Sequence, residues 1–168
     1  WKEKLLRESV HLARLKFNSR QESNPSILSN YMPKKNRVLS IAFYFIVELV
    51  AKLIGGNYEY IRKTENFYQK LVRKNRVYKK YLDFFKSSDC TTLFCTHQRA
   101  IIAAYLFAAA NDAGLKTITS IYSWDNLPKA RMALQADEYF VWSPYMKEEL
   151  KSFYQEITGD QIKITGTP

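Results

Sequence analysis

The alternation of hydrophobic and polar positions changes rhythm near residue 88. Before that point the spacing is helical. Leu5, Leu6, Leu12, Leu15 and Phe17 stand among charges over residues 1–20 and predict an amphipathic helix. Residues 21–36 concentrate Ser, Asn and Pro and predict a loop. The most hydrophobic stretch is VLSIAFYFIVELVAKLI, residues 38–54, interrupted by Glu48 and Lys52. A membrane-crossing helix needs about 20 apolar residues, so this run predicts a buried or interfacial segment. Gly55-Gly56-Asn57 is the next break. From 58 to 86, Tyr60, Thr64, Phe67, Leu71, Tyr78, Leu82 and Phe85 recur at helical intervals and predict one long helix packed through that stripe.

In the second half, short β-prone runs alternate with helical ones. Strands are predicted over 91–96, 116–122, 138–142 and 161–165. An Ala-rich helix is expected from Arg99 to a stop at Gly114, and another opens at Ser143-Pro144 with Glu148 and Glu149 behind it. Strands separated by helices predict an α/β fold with a parallel sheet and helices packed against it. No internal repeat, GxGxxG or GxxxxGK[ST] phosphate loop is found.

Composition refines this picture. With 168 residues, 46% hydrophobic and 15% aromatic, the chain has apolar material for one ordinary domain and is not a disordered tail. The formal charge of +10 is uneven: residues 1–87 carry nineteen Lys and Arg against seven Asp and Glu, whereas residues 88–168 carry seven against nine. A basic flank of this kind suits a polyanionic partner or a solvated helix face. Cys90 and Cys95 are read as lying in one strand with an odd offset, hence on opposite faces, so neither a disulfide nor a zinc site is expected and a reducing compartment is the natural setting. The first residues, Trp1-Lys2-Glu3-Lys4, resemble no secretory leader and include no initiator Met, which predicts a fragment or a processed product.

In open parallel sheets ligands bind beyond the carboxyl ends of the strands. This rule selects Thr96-His97-Gln98-Arg99, Ser123-Trp124-Asp125-Asn126 and Gly166-Thr167-Pro168, all on one edge. His97 suits proton transfer, its ordinary pKa lying near 6.5; the alternative is that it caps the next helix. Gln98 and Arg99 stand at a helix N-terminus, which favours an anion. Trp124 could cover a sugar or base while its neighbours, with Lys129 and Arg131, bind hydroxyls; alternatively Asp125 or Asn126 caps a short helix and Trp124 is core.

The run SWDNL followed by basic residues, DEYFVWS at 137–143, MKEEL at 146–150 and the closing IKITGTP together resemble the N-terminal domain of bacterial GT-B-type glycosyltransferases. The nearest group is the surface-polysaccharide and CDP-glycerol glycerophosphotransferase-like one. Charge and periodicity set apart a basic, mainly helical segment over 1–57, and the resemblance, which covers about residues 60–168, implies a Rossmann-like α/β part over 58–168, half of a GT-B architecture whose C-terminal donor domain is absent from this stretch. It implies an acceptor-side domain of a cytoplasmic transferase, held peripherally at the anionic inner leaflet. A nucleotide-activated sugar or CDP-glycerol would be the donor, and a glycan or lipid-linked precursor the acceptor. Under it His97 is the candidate base with Asp125 second, and Gln98, Arg99, Ser123, Trp124, Asn126, Lys129, Arg131 and Gly166 bind substrate. No metal or cofactor is expected. Pro128 departs from the hydroxyl-rich continuation of that group. Two other readings are a UDP-sugar 2-epimerase-like fragment and a non-enzymatic basic module for membrane or nucleic acid; no nucleic-acid recognition motif appears.

Overall fold

The structure, a computed structural model, describes residues 1–33, 37–123, 126–129, 132 and 135–167. Two compact units emerge, one comprising Trp1–Leu71 with Pro128–Arg131 and the other Val72–Leu127 and Met132–Pro168.

The first unit is helical: α1 (Lys2–Gln21), a 3-10 turn (Pro25–Asn30), α2 (Val38–Ile54) and most of α3 (Tyr58–Val72). Glu3 in the first turn of α1 and Arg20 in its last complement the helix dipole. Inside the expected loop, the Asn24 side chain accepts from the Ser26 amide at 3.0 Å and Pro25 fixes the first position, which creates the 3-10 turn. Val10, Ala13, Phe43, Val47, Ala51 and Ile61 form the apolar core. At Gly55, the C-cap of α2, a Cβ would come 2.6 Å from the Ala51 carbonyl of the same helix, so this helix end needs glycine, whereas Ala13 Cα of α1 at 3.5 Å is an ordinary contact.

A buried ion pair ties α1 to α3. Arg14 Nη2 donates to Glu65 Oε2 at 2.6 Å and Nη1 to the Tyr58 hydroxyl at 3.0 Å, while Arg62 donates to the same Glu65 oxygen at 2.9 Å. Both side chains are nearly fully buried. Two such charges taken from water cost several kcal/mol each, and only direct pairing with further hydrogen bonds offsets that.

This pair also explains a departure from the periodicity. A helical stripe fits 60/64/67/71 or 61/65/68/72 equally well, and the structure takes the second. Ile61, Glu65, Tyr68 and Val72 are buried, whereas Tyr60 and Phe67 are exposed. The long helix is also two helices. Asn75 adopts an extended backbone and its side chain accepts from the Val77 amide at 2.9 Å, which ends the helical run and starts α4 (Arg76–Ser87).

The second unit is α/β and Rossmann-like. β1 (Thr92–Cys95), β2 (Lys116–Ser120), β3 (Glu138–Val141) and β4 (Ile162–Ile164) form a four-stranded sheet in the order β1-β2-β3-β4, every neighbouring pair parallel. Each strand is shorter than its predicted run, and Cys90 lies ahead of β1 rather than within it; both thiols are free. The connections carry α5 (Ile101–Asp112), a short α6 (Asn126–Lys129) and α7 (Pro144–Phe153). Ala103 and Phe107 of α5 and Met146, Leu150 and Phe153 of α7 share one core with Ile121, Tyr139, Val141 and Ile162, so these helices cover the same sheet face. The opposite face carries Phe94, Ile118 and Phe140, with the two rings 6.1 Å apart.

Local chemistry sets the boundaries. α5 ends where Gly114 takes φ +81°, with the Gly114 amide donating to Asn111 O at 3.1 Å and that of Leu115 to Ala110 O at 3.0 Å. α7 begins where the Ser143 hydroxyl accepts from the Met146 amide at 3.3 Å. The buried Thr117 is satisfied by Asp137, whose Oδ2 accepts from its amide at 2.8 Å and its hydroxyl at 2.9 Å. Among the described residues no helix is long and apolar enough to cross a membrane.

Removing one partner of the buried pair should be costly. Arg14→Ala is expected to lower unfolding free energy by about 3–5 kcal/mol in urea titrations, because it removes one partner of a buried, hydrogen-bonded pair; a loss below about 1 kcal/mol would mean that Arg62 alone suffices.

A second expectation concerns acid. Asp112 accepts from Arg73 at 2.8 and 2.9 Å and from the Tyr78 hydroxyl at 2.7 Å, linking α5 to α4 and to the connection between α3 and α4. Burial alone would raise its carboxyl, but the hydrogen bonds from Arg73 and Tyr78 and the charges of Arg73 and Lys86 outweigh it and hold the group below the ordinary Asp value. Burial, then the bond to Asp112, pushes Tyr78 up to about 12. A depressed carboxyl contributes stability above its unfolded pKa of about 3.9 and loses it as pH falls through the folded value. Asp112→Asn should therefore cost about 1 kcal/mol at neutral pH, discounted for the partial exposure of the pair, and the gap to wild type should close at acid pH. Urea titrations at both pH values measure it.

Candidate functional site at the carboxyl edge of the sheet

Because all four strands run parallel, their carboxyl ends share one edge. β1 delivers Thr96, His97, Gln98, Arg99 and Ala100 there before α5 begins; β2 delivers Tyr122 and, at the start of α6, Asn126. These seven residues line a cavity of about 540 Å³.

The walls are held by polar bonds. The hydroxyl of Thr119, at the end of β2, donates to the Cys95 carbonyl at 3.0 Å. Gln98 is 2% exposed. Its carboxamide nitrogen, assigned by the hydrogen-bond network, donates to the carbonyls of Thr96 at 3.2 Å and Ser120 at 3.3 Å, stitching the end of β1 to that of β2. The Ala100 amide donates to the His97 carbonyl at 3.0 Å, closing a turn that presents the intervening side chains. Ala100 caps α5 without a side-chain acceptor, so the first helical amides keep their affinity for negative charge.

Three groups supply the chemistry. The exposed His97 has Nδ1 2.9 Å from the Thr96 hydroxyl, and its backbone amide donates to Cys95 Sγ at 3.4 Å. When Nδ1–H donates to Thr96, Nε2 carries the lone pair that a base needs. Arg99 Nη1 donates to Asn126 Oδ1 at 3.2 Å, linking the two loops across the cavity. Among the described lining residues Arg99 is the only Lys, Arg, Asp or Glu, and its guanidinium gives the cavity a fixed positive charge. The exposed Tyr122 adds an aromatic ring. Imidazole, guanidinium, amide and phenol together suit a ligand with hydroxyls and a phosphate or other anion.

Of the residues singled out from sequence, His97, Gln98, Arg99 and Asn126 come together in this cavity. Ser123 lies just outside it, its carbonyl accepting from the Asn126 amide at 3.1 Å. Gly166, with φ +80°, follows β4, two strands away from β2 along the same edge, and does not line it. Trp124, Asp125, Arg131 and the Lys129 side chain lie outside the described residues. Tyr122 was hidden by reading β2 as running through it; ending that strand at Ser120, before the turn-rich Ser-Trp-Asp-Asn, would have exposed it.

Gln98→Ala should remove a structural stitch rather than a contact alone. A loss of about 1–2 kcal/mol is expected in thermal or urea unfolding, from two deprived carbonyls and a small void, whereas His97→Ala, at an exposed ring, should stay within about 0.5 kcal/mol of wild type. Compared with family models, with curated proteins and with solved structures, the chain matches none.

Proposed function

We propose that the α/β unit is the acceptor-side half of a GT-B-type glycosyltransferase or glycerophosphotransferase acting on a cell-surface glycan precursor. The observation that carries this reading is the cavity at the ends of β1 and β2, which joins the His97 imidazole to the Arg99 guanidinium. An acceptor hydroxyl would lie against His97 Nε2 and give up its proton there as its oxygen attacks the activated donor. The new bond forms to the sugar anomeric carbon or the glycerophosphoryl phosphorus, and the bond to the nucleotide's phosphate breaks, so the nucleotide leaves with the electron pair. Arg99 and the uncapped start of α5 would stabilise charge on acceptor or donor phosphate. Asn126 orients Arg99, and Tyr122 would cover a sugar face.

A cytoplasmic location with peripheral attachment to the inner membrane face fits this role, because lipid-linked acceptors reside there. The nineteen Lys and Arg of residues 1–87 would be attracted to anionic headgroups.

The test reads binding and turnover separately. Titration of the chain with a sugar phosphate or glycerol phosphate, followed by backbone amide NMR, should shift Thr96–Ala100, Tyr122 and Asn126, and Arg99→Ala should weaken binding about tenfold or more. In transfer assays with UDP-sugars or CDP-glycerol and a lipid-linked acceptor, His97→Ala should lower turnover by about 10²-fold or more with binding retained. Shifts confined to other regions, or near-normal turnover without the imidazole, would overturn the assignment.

A further inference from the structure

The two faces of α2 are chemically mismatched with their surroundings. One face, through Phe43, Val47 and Ala51, is buried against α1 and α3. The other carries Val38, Leu39, Ile41, Phe45, Leu49 and Leu53, each between 51% and 85% exposed. At 3.6 residues per turn these positions, joined by Ala42, cover about half of the circumference. A continuous exposed strip of aliphatic and aromatic groups on one helix is far more than the scattered apolar residues of an ordinary surface.

The rim of this strip is basic and aromatic. Arg37 stands at the N-cap, at one end of the strip, and Lys52 lies within the strip in the last turn, both exposed. From the start of α1, Lys4 Nζ lies 5.0 Å above the Phe43 ring and 5.9 Å above that of Tyr44. Trp1, 72% exposed, meets Phe43 edge to face at 5.8 Å, placing an indole beside α2. Glu48 is the one acidic residue of the helix. Residues 1–71 as a whole carry thirteen Lys and Arg against six Asp and Glu.

We infer that α2 is an interfacial helix that docks this protein on an anionic lipid bilayer, its apolar strip in the acyl boundary and Arg37, Lys52 and Lys4 among the headgroups. The helix is suited to lying on a membrane rather than crossing it: 17 residues span only about 25 Å, less than a hydrocarbon core. Lys52, within the strip, has a stem long enough to carry its ammonium back to the headgroups. An indole at the rim matches the depth that tryptophan prefers. Charge separates this occupant from a second copy of the chain, which would set one basic rim against another. Anionic headgroups neutralise that rim.

The inference rests on the peripheral placement proposed above but not on the sheet-edge cavity. Its test contains neither donor nor acceptor, so the two can fail independently. The chain is floated with vesicles of phosphatidylcholine alone or mixed with phosphatidylglycerol, at low and high salt. Retention on the phosphatidylglycerol vesicles, weakened by salt, is expected, and Phe45→Glu/Leu49→Glu should reduce it by about tenfold or more with far-UV circular dichroism unchanged. Arg37→Gln/Lys52→Gln should remove most of the preference for the anionic vesicles. Absence of retention, equal retention of the glutamate variant, or equal retention on both vesicle types would overturn it. So would light scattering that shows a dimer dispersed by the glutamate substitutions, since a second copy would then cover α2.

Discussion

Parallel pairing of β1 with β2 is the constraint on which the candidate site depends. Parallel neighbours send both carboxyl ends to one edge, so Thr96–Arg99 and Tyr122 meet although some 20 residues separate them. The ladder is reinforced where it ends: Thr119 bonds to Cys95 and Gln98 bridges the Thr96 and Ser120 carbonyls. A buried amide in that position satisfies groups that the last ladder bonds leave open. His97 and Arg99 are therefore presented by a stitched edge rather than by a loose loop, which is what positioning chemistry requires.

The two units solve burial differently. The α/β unit is filled by Phe107, Tyr139, Val141, Leu150 and Phe153, and its buried threonines are paired with Asp137 and with the Cys95 carbonyl. The helical unit places Arg14 and Glu65 in its interior and covers only half of its most apolar helix. A buried pair fixes the phase of α3 against α1, because sliding the helix by one position would strand both charges. What holds that unit together is thus more specific than hydrophobic periodicity, and what it leaves outside is a surface with an unused apolar face.

The order of strands and helices in residues 88–168, the Gly114 stop and the Ser143-Pro144 start were all legible, since each rests on local stereochemistry or a short cap. So was the edge at which His97, Gln98, Arg99 and Asn126 gather, because a parallel sheet allows no other. The break at Asn75 was less visible: its cap bond depends on one side chain inside a rhythm that continues across it. For α2, hydrophobicity showed that the helix wants an apolar neighbour without showing that only one side receives one.

Sequence by itself therefore determined the α/β pattern, the uneven charge and the sheet edge where polar chemistry collects, because these follow from spacing, capping and composition. Tertiary structure alone decided which helical stripe faces inward, that Gln98 serves as a stitch, and that Arg99 reaches Asn126. Those outcomes depend on partners distant in the chain, and the cost of leaving a buried charge or carbonyl unpaired is set by what the fold brings beside it.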